Sequence, residues 1–478
     1  MLLSVFAERL SLRVSARACK KPPQLDKPTQ LSGLSSRLPG LLSIVIAALA
    51  VVTARPANAV PAFAEQTGQP CQACHVGGFG PQLTPFGRNF KLHGYTMRAV
   101  EKNNPLAVMA IASYLRTNES QTEPPADSFK TNNNFALDQV SVFLAGGIGQ
   151  HVGGFVQTTY DGVGKAFAWD NIDLRATTET TIKGADVLLG ASLNNSPTVQ
   201  DVWNSTPAWG FPYTDSGLAP SPSASPLLAD GLAQNTIGLT TYAWINSNYY
   251  IEAGAYGSPG ARTLTRLGAD PLSPGNINGL APYGRLAFQK ADGAQNIQVG
   301  LFGLRANIYP ERDHSAHATD RYTDVGLDGS YQLTRTNGDI FSVNARYLDE
   351  RRSLAASEAL GLAENLHGRL KDTRIDASYY WRNKFGATVQ AFNTSGTSDA
   401  ILYADTRIDR PKSSGLNLQL DGTLFGGADA PMRQRFNVRA GVQYTMYSKF
   451  DGASHNYDGA GRNASDNNTL RVFTWLAF

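Results

Sequence analysis

The stretch RFNVRAGVQYTMY, residues 435–447, decides the fold. Read with a period of two, it puts Phe436, Val438, Ala440, Val442, Tyr444 and Met446 on one face. Arg435, Asn437, Arg439, Gly441, Gln443 and Thr445 fall on the other. That period belongs to a β-strand, whose successive side chains point to opposite sides of a sheet. A helical period would scatter the arginines over every side. SGLNLQLDGTL alternates in the same way, with Leu416, Leu418, Leu420 and Leu424 opposite Asn417, Gln419, Asp421 and Thr423. IFSVNARY sets Phe341, Val343, Ala345 and Tyr347 against Ser342, Asn344 and Arg346.

From about Leu106 to Phe478 the theme repeats in runs of 9–13 residues. A soluble sandwich alternates too, so length and connections have to decide. Strands of about ten residues suit a tilted bilayer crossing, whereas soluble strands average about five to six. The connections alternate short and long. Asn246–Asn248, Thr336–Asp339 and Arg382–Gly386 are short, and 196–233, 258–279, 351–366, 396–414 and 451–466 are long. Outer-membrane barrels have this asymmetry.

Sixteen runs are counted, centred near residues 110, 141, 156, 173, 189, 240, 251, 286, 301, 328, 343, 376, 390, 419, 441 and 473. An even count puts both barrel ends on one side of the membrane and all the long loops on the other. The expectation is an all-β, 16-stranded antiparallel outer-membrane barrel over 104–478, closed because lipid cannot satisfy a free sheet edge. A barrel of this size encloses a water-filled lumen. Arg346, Arg374, Asp376, Arg435 and Arg439 are expected to face it, since charge on the lipid side is costly.

Near the other end, LPGLLSIVIAALAVV (Leu38–Val52) follows basic residues and precedes Ala57-Asn58-Ala59. That is the layout of a secretory signal peptide, residues 1–59, although an unusually long one. Eight of the 42 basic and two of the 39 acidic residues lie in it, so the remainder carries a formal charge of −3. Nucleic acid is therefore not an expected partner. Cys19 leaves with the leader, and only Cys71 and Cys74 remain.

Those two stand in Cys71-Gln72-Ala73-Cys74-His75, the spacing of c-type haem attachment. Two thiols can take the two vinyl groups of one haem, and the following histidine can be an axial iron ligand. A thioredoxin-like pair would not need His75. A zinc site would need further ligands, for which only His93 is near. Residues 60–103 are thus read as a monohaem cytochrome segment, too small to bury a haem alone and suited to plugging the lumen.

A short helix should follow. Thr84 suits the N-cap, Pro85 the first position and Gly94 the stop. Helical spacing puts Phe86, Asn89, Phe90 and His93 on one face, the expected haem cover. Thr84, Phe86, Arg88 and Phe90 are the candidate haem surroundings. Arg88 or Lys91 could meet a haem propionate or be an ordinary solvated charge. His93 or Met97 could supply the distal ligand opposite His75.

The combination of leader, PAFAEQTGQPCQACH, PQLTPFGRNFKLHGY and a barrel ending in an aromatic resembles the fused monohaem cytochrome–porins of iron-oxidising bacteria. Glu65 stands where the family pattern has an arginine. The resemblance implies an outer-membrane protein with one covalent haem c. Electrons would pass from extracellular Fe(II), or another donor, to a periplasmic c-type cytochrome or other soluble acceptor. Two other readings keep the fold: a solute porin plugged or gated by the haem segment, and an outward conduit to an extracellular acceptor. Glu311, Asp313, His314, His317 and Asp320 form the most metal-like loop cluster, or are simply solvated.

Overall fold

The computed structural model describes residues 62–100, 104–425 and 436–478. The expected leader with its cleavage point, and Arg435, lie outside them. Sixteen long strands make one closed antiparallel sheet. The first eight are β1 (Leu106–Thr117), β2 (Asn134–Ile148), β3 (Val152–Asp161), β4 (Ala166–Ile182), β5 (Ala185–Asn194), β6 (Ile237–Ile245), β7 (Tyr249–Gly257) and β8 (Ala281–Asp292). The second eight are β9 (Gln295–Tyr309), β10 (Asp320–Thr334), β11 (Ile340–Ser353), β12 (His367–Trp381), β13 (Phe385–Gly396), β14 (Ser413–Thr423), β15 (Asn437–Lys449) and β16 (Thr469–Ala477).

Each expected centre falls within one of these strands. β4 is longer than expected, at 17 residues, because it runs on through the threonine-rich Thr177–Thr181, which carries no apolar alternation. A two-residue strand, Asn276–Ile277, also pairs with the end of β9. Two residues are too few to show a period.

The sheet closes where β1 meets β16, in register from Met109 opposite Ala477 to Thr117 opposite Thr469. The terminal residue completes the seam: Phe478 N donates to the Val108 carbonyl at 2.9 Å, and Val108 N donates back to the Phe478 carbonyl at 2.6 Å. Among the described residues no long strand is left with an unpaired edge. Alternation does what the sequence requires of it. Leu416, Leu418, Leu420, Val442 and Val472 are exposed on the outside, while Asn417, Gln419, Asp421, Arg439 and Gln443 are buried inside. Arg346 and Asp376 are buried inside as well. An apolar exterior around a polar interior is the arrangement of a barrel that crosses a membrane.

Connections at one end are short, including 183–184, 246–248, 335–339 and 382–384, and most at the other end are long. The Asn337-Gly338 hairpin is present, with Gly338 at φ +87°. The long loops do not all lie outside, as had been expected. Residues 195–236 turn into the lumen, where Val199, Val202, Trp203, Phe211 and Leu218 are buried. Polar anchors hold this loop: Asp201 lies 3.3 Å from Arg285 of β8, Ser205 Oγ donates to Asp328 of β10 at 2.6 Å, and Gln390 of β13 donates to the Phe211 carbonyl at 2.6 Å. A wide polar lumen offers those partners, and buried Trp203 and Phe211 gain by leaving water.

The outer loops that do face solvent are joined by Asp399. Its carboxylate accepts from the backbone N–H of Glu364, Asn365, Ile401 and Leu402 at 2.9–3.1 Å. Burial opposes its ionisation, but these donors outweigh burial and hold the carboxyl below its usual range. A depressed folded pKa contributes stability that is complete above the unfolded value and lost as pH falls through the folded one. Asp399→Asn should therefore raise amide exchange in 354–366 and 397–412 roughly tenfold at pH 7, with wild type and variant converging in strong acid. An equal difference at both pH values would show that the charge is not what matters.

Candidate functional site

Residues 62–99 lie inside the barrel and are held by its wall from several sides. They form α1 (Ala62–Thr67), α2 (Cys71–Cys74) and α3 (Pro85–Leu92). Asn383, in the short turn after β12, grips the segment three ways. Its Nδ2 donates to the carbonyls of Gln72 and His75, and its Oδ1 accepts from Gly77 N at 2.6 Å. Thr423 of β14 donates to the Gly77 carbonyl at 2.6 Å. Arg439 of β15 donates to the Phe79 carbonyl. Across the lumen Tyr242 of β6 donates to the Leu92 carbonyl at 2.6 Å, and Tyr95 donates to Asp173 of β4 at 2.7 Å. Gly77 and Gly78 turn the chain just after His75 with φ of +72° and +76°, a region that favours glycine.

Cys71 and Cys74 are three residues apart on one helical turn, which brings both to one side. Both are free thiols. With His75, Phe79, Leu83 and Phe90 they line a cavity of about 860 Å³ between the segment and the barrel wall. That size is in the usual range for small-molecule and cofactor sites. Burial pushes the Cys74 thiol up to about 12, with nearby Cys71 adding to the rise, and it raises Cys71 too. Desolvation draws the His75 ring down to about 4, so it is neutral at pH 7, the form that ligates a metal. Its Nδ1 is buried without a hydrogen-bond partner. Two thiols and a neutral imidazole with an unpaired Nδ1, beside Phe79, Leu83 and Phe90, fit a covalently held haem.

The helix expected after this motif is α3. Thr84 caps it by accepting from Gly87 N at 3.2 Å, and Pro85 opens it. Gly94 follows with φ +66°. The face it presents is not the expected one. Gly87, Phe90 and Lys91 line the cavity with Leu83, whereas Phe86 and Asn89 do not. Gly87 sets this orientation, because a Cβ there would press into the Cys74 carbonyl. We expect Gly87→Ala to cost about 1–3 kcal/mol through this clash, read as a lower denaturant midpoint for the tryptophan signal. An unchanged midpoint would mean that α3 is free to move away from α2.

The other candidates scatter. Thr84 serves as the cap and donates to the Ala73 carbonyl. Arg88 is buried away from the cavity and donates to Asn296 of β9 at 2.6 Å. Lys91 reaches the cavity but spends its ammonium on the Val199 carbonyl and Asn204, both at 2.8 Å. Neither candidate for the distal position lines the cavity. His93 uses both ring nitrogens, on the Asn89 carbonyl at 2.8 Å and Glu179 at 2.9 Å. Met97 packs with Phe90 and Tyr95.

The acidic and histidine loop cluster does not assemble. Asp320 is buried in β10 and accepts from Ala356 N and Ser357 N, while His314 stacks on Tyr309. Among the described residues no group of three such side chains is placed to hold a metal. Sequence reasoning missed three parts of the cavity wall. Tyr213 comes from a loop expected outside, and Trp475 and Arg471 sit on the polar-facing positions of β16. The alternation of TLRVFTWLAF carried the signal for the last two.

The sequence matches no protein-family model and no curated protein. Among solved structures, OprB of Pseudomonas putida is similar at 11% identity and a TM-score of 0.49, over 78% of this chain and 93% of that one. OmpF of Salmonella typhi gives 10% identity and a TM-score of 0.43, over 78% and 97%. The outer membrane channel DcaP of Acinetobacter baumannii gives 10% identity and a TM-score of 0.42, over 78% and 96%. By its own seam, strand count and apolar exterior, the chain is a closed sixteen-stranded antiparallel barrel of the outer-membrane type.

Proposed function

We propose that this chain is an exported outer-membrane cytochrome–porin that carries one haem c and moves electrons from extracellular Fe(II) to a periplasmic cytochrome or other soluble acceptor. One observation supports the reading above the others: Cys71, Cys74 and His75 share the wall of one lumenal cavity. The thiols would hold the haem covalently and His75 would ligate its iron. The haem itself would supply a reversible one-electron carrier. The chain's own part is positional. Asn383 and Arg439 fix the backbone on either side of His75, and Phe79, Phe90 and Trp475 supply apolar surface to the cavity. No acid–base step is required of a side chain.

Purified protein should give the alkaline pyridine spectrum of a haem bound through two thioethers. Its oxidised form, mixed anaerobically with Fe(II), should then be reduced. An attached haem that Fe(II) leaves oxidised would sink iron oxidation and favour an outward conduit. The polar lining of the cavity, with Arg346, Arg374, Asn417 and Gln443 in it, favours solute passage as the second reading, which predicts conductance that persists when the cysteines are replaced.

A further inference from the structure

We propose that Arg346 and Arg374 form a carboxylate-binding site on the wall of this cavity. The two stand directly opposite each other on β11 and β12, and both line the cavity. Within 4 Å they share one ionic partner, and Asp376 acts on Arg346 from further off. Asp372 Oδ1 lies 3.6 Å from Arg346 and 3.2 Å from Arg374, and its Oδ2 accepts from Thr394 at 2.9 Å. The next inward carboxylate on β12, Asp376, accepts instead from Asn344 at 2.8 Å.

Arg346 is only 8% exposed, and its Nε has no hydrogen-bond partner. Its one ionic contact, at 3.6 Å, is longer than a hydrogen bond. A guanidinium carries five N–H donors in a planar fork, and a buried cation with unused donors is costly. Two forks side by side on neighbouring strands offer donors to the two oxygens of a carboxylate. A bound carboxylate would offset both the charge and the unused donors.

Two sources share this chemistry. One is a propionate of the haem itself, which rests on the function proposed above. The other is a free carboxylate solute in the lumen. In the first arm, Arg346→Gln and the more exposed Arg374→Gln are compared with wild type by redox titration. Loss of a positive charge beside a propionate should shift the midpoint potential negative while the pyridine spectrum still reports a full complement of attached haem. In the second arm, the Cys71→Ser/Cys74→Ser protein is placed in planar bilayers and its conductance is titrated with succinate. Block that weakens at least tenfold in Arg346→Gln identifies the free solute. Heat-modifiable migration in gels shows which variants have folded, and Arg374→Gln serves if Arg346→Gln has not. Potentials within error of wild type, together with no arginine-dependent block, overturn the site. Absence of haem from the wild type would sink the proposed function and leave the succinate arm to decide.

Discussion

Replacing Cys71 and Cys74 together with serine abolishes covalent haem while leaving a closed barrel: the expected result is complete loss of haem absorbance from denatured protein, with normal heat-modifiable migration. The loss should be complete because the chain's one other cysteine, Cys19, has no partner cysteine or following histidine at the haem-attachment spacing. Folding should survive because the thiols do not hold the segment in place. That is done by backbone carbonyls and amides bound to Asn383, Thr423, Tyr242 and Arg439. Serine differs from cysteine in one atom, so α2 keeps its fit beneath Gly87. Each single mutant should keep one thioether, with the pyridine spectrum displaced toward that of a haem with one free vinyl group. Haem that stays with the denatured double mutant would refute thioether attachment.

Arg439→Leu should destabilise the barrel by about 3–5 kcal/mol, because it breaks a buried ion pair from one side. The guanidinium is 1% exposed. It donates to Asp421 at 2.7 Å and to the Tyr380 hydroxyl at 2.6 Å, and it also holds the Phe79 carbonyl. Leucine would strand the Asp421 carboxylate with only Gln419 and Tyr380 as donors. It would also release the turn that follows His75. Urea unfolding in detergent, followed by tryptophan emission, reads the loss. Limited trypsin cleavage at Arg88 or Lys91 reads the loosened segment. Arg439→Leu/Asp421→Leu should recover most of the stability, since neither charge is then left alone. A double mutant no better than the single one would mean that the contact to Phe79, not the ion pair, carries the energy.

How much of this was legible depended on whether a feature repeats along the chain or is assembled across it. RFNVRAGVQYTMY shows its two faces locally, and all sixteen strand centres followed from the same rule. The Thr84 cap and the Asn337-Gly338 turn were legible too, because each is made by neighbours in sequence. The loop 195–236 was misplaced because Asp201, Ser205 and Thr206 look like solvated loop residues until Arg285 and Asp328, many strands away, are brought beside them. The face of α3 was misjudged by about one position. Its rotation is set by a steric contact between Gly87 and Cys74 that helical spacing alone does not report. His93 looked like a ligand because helical spacing set it on the expected haem-covering face, but its partner, Glu179, lies on β4.

The seam between β1 and β16 dictates an order of assembly. Its hydrogen bonds join the first long strand to the sixteenth, so closure must wait until Thr469–Phe478 have been delivered. The segment that ends up inside precedes every strand in the chain. During that interval Phe63, Phe90 and Tyr95, which stack on one another in the finished protein, have no wall to pack against. An exported chain in this state is sticky and open to proteases, and it needs an escort until the cylinder shuts. The same interval leaves both Cys71 and Cys74 within reach of whatever modifies them, whereas in the finished protein Cys71 is buried.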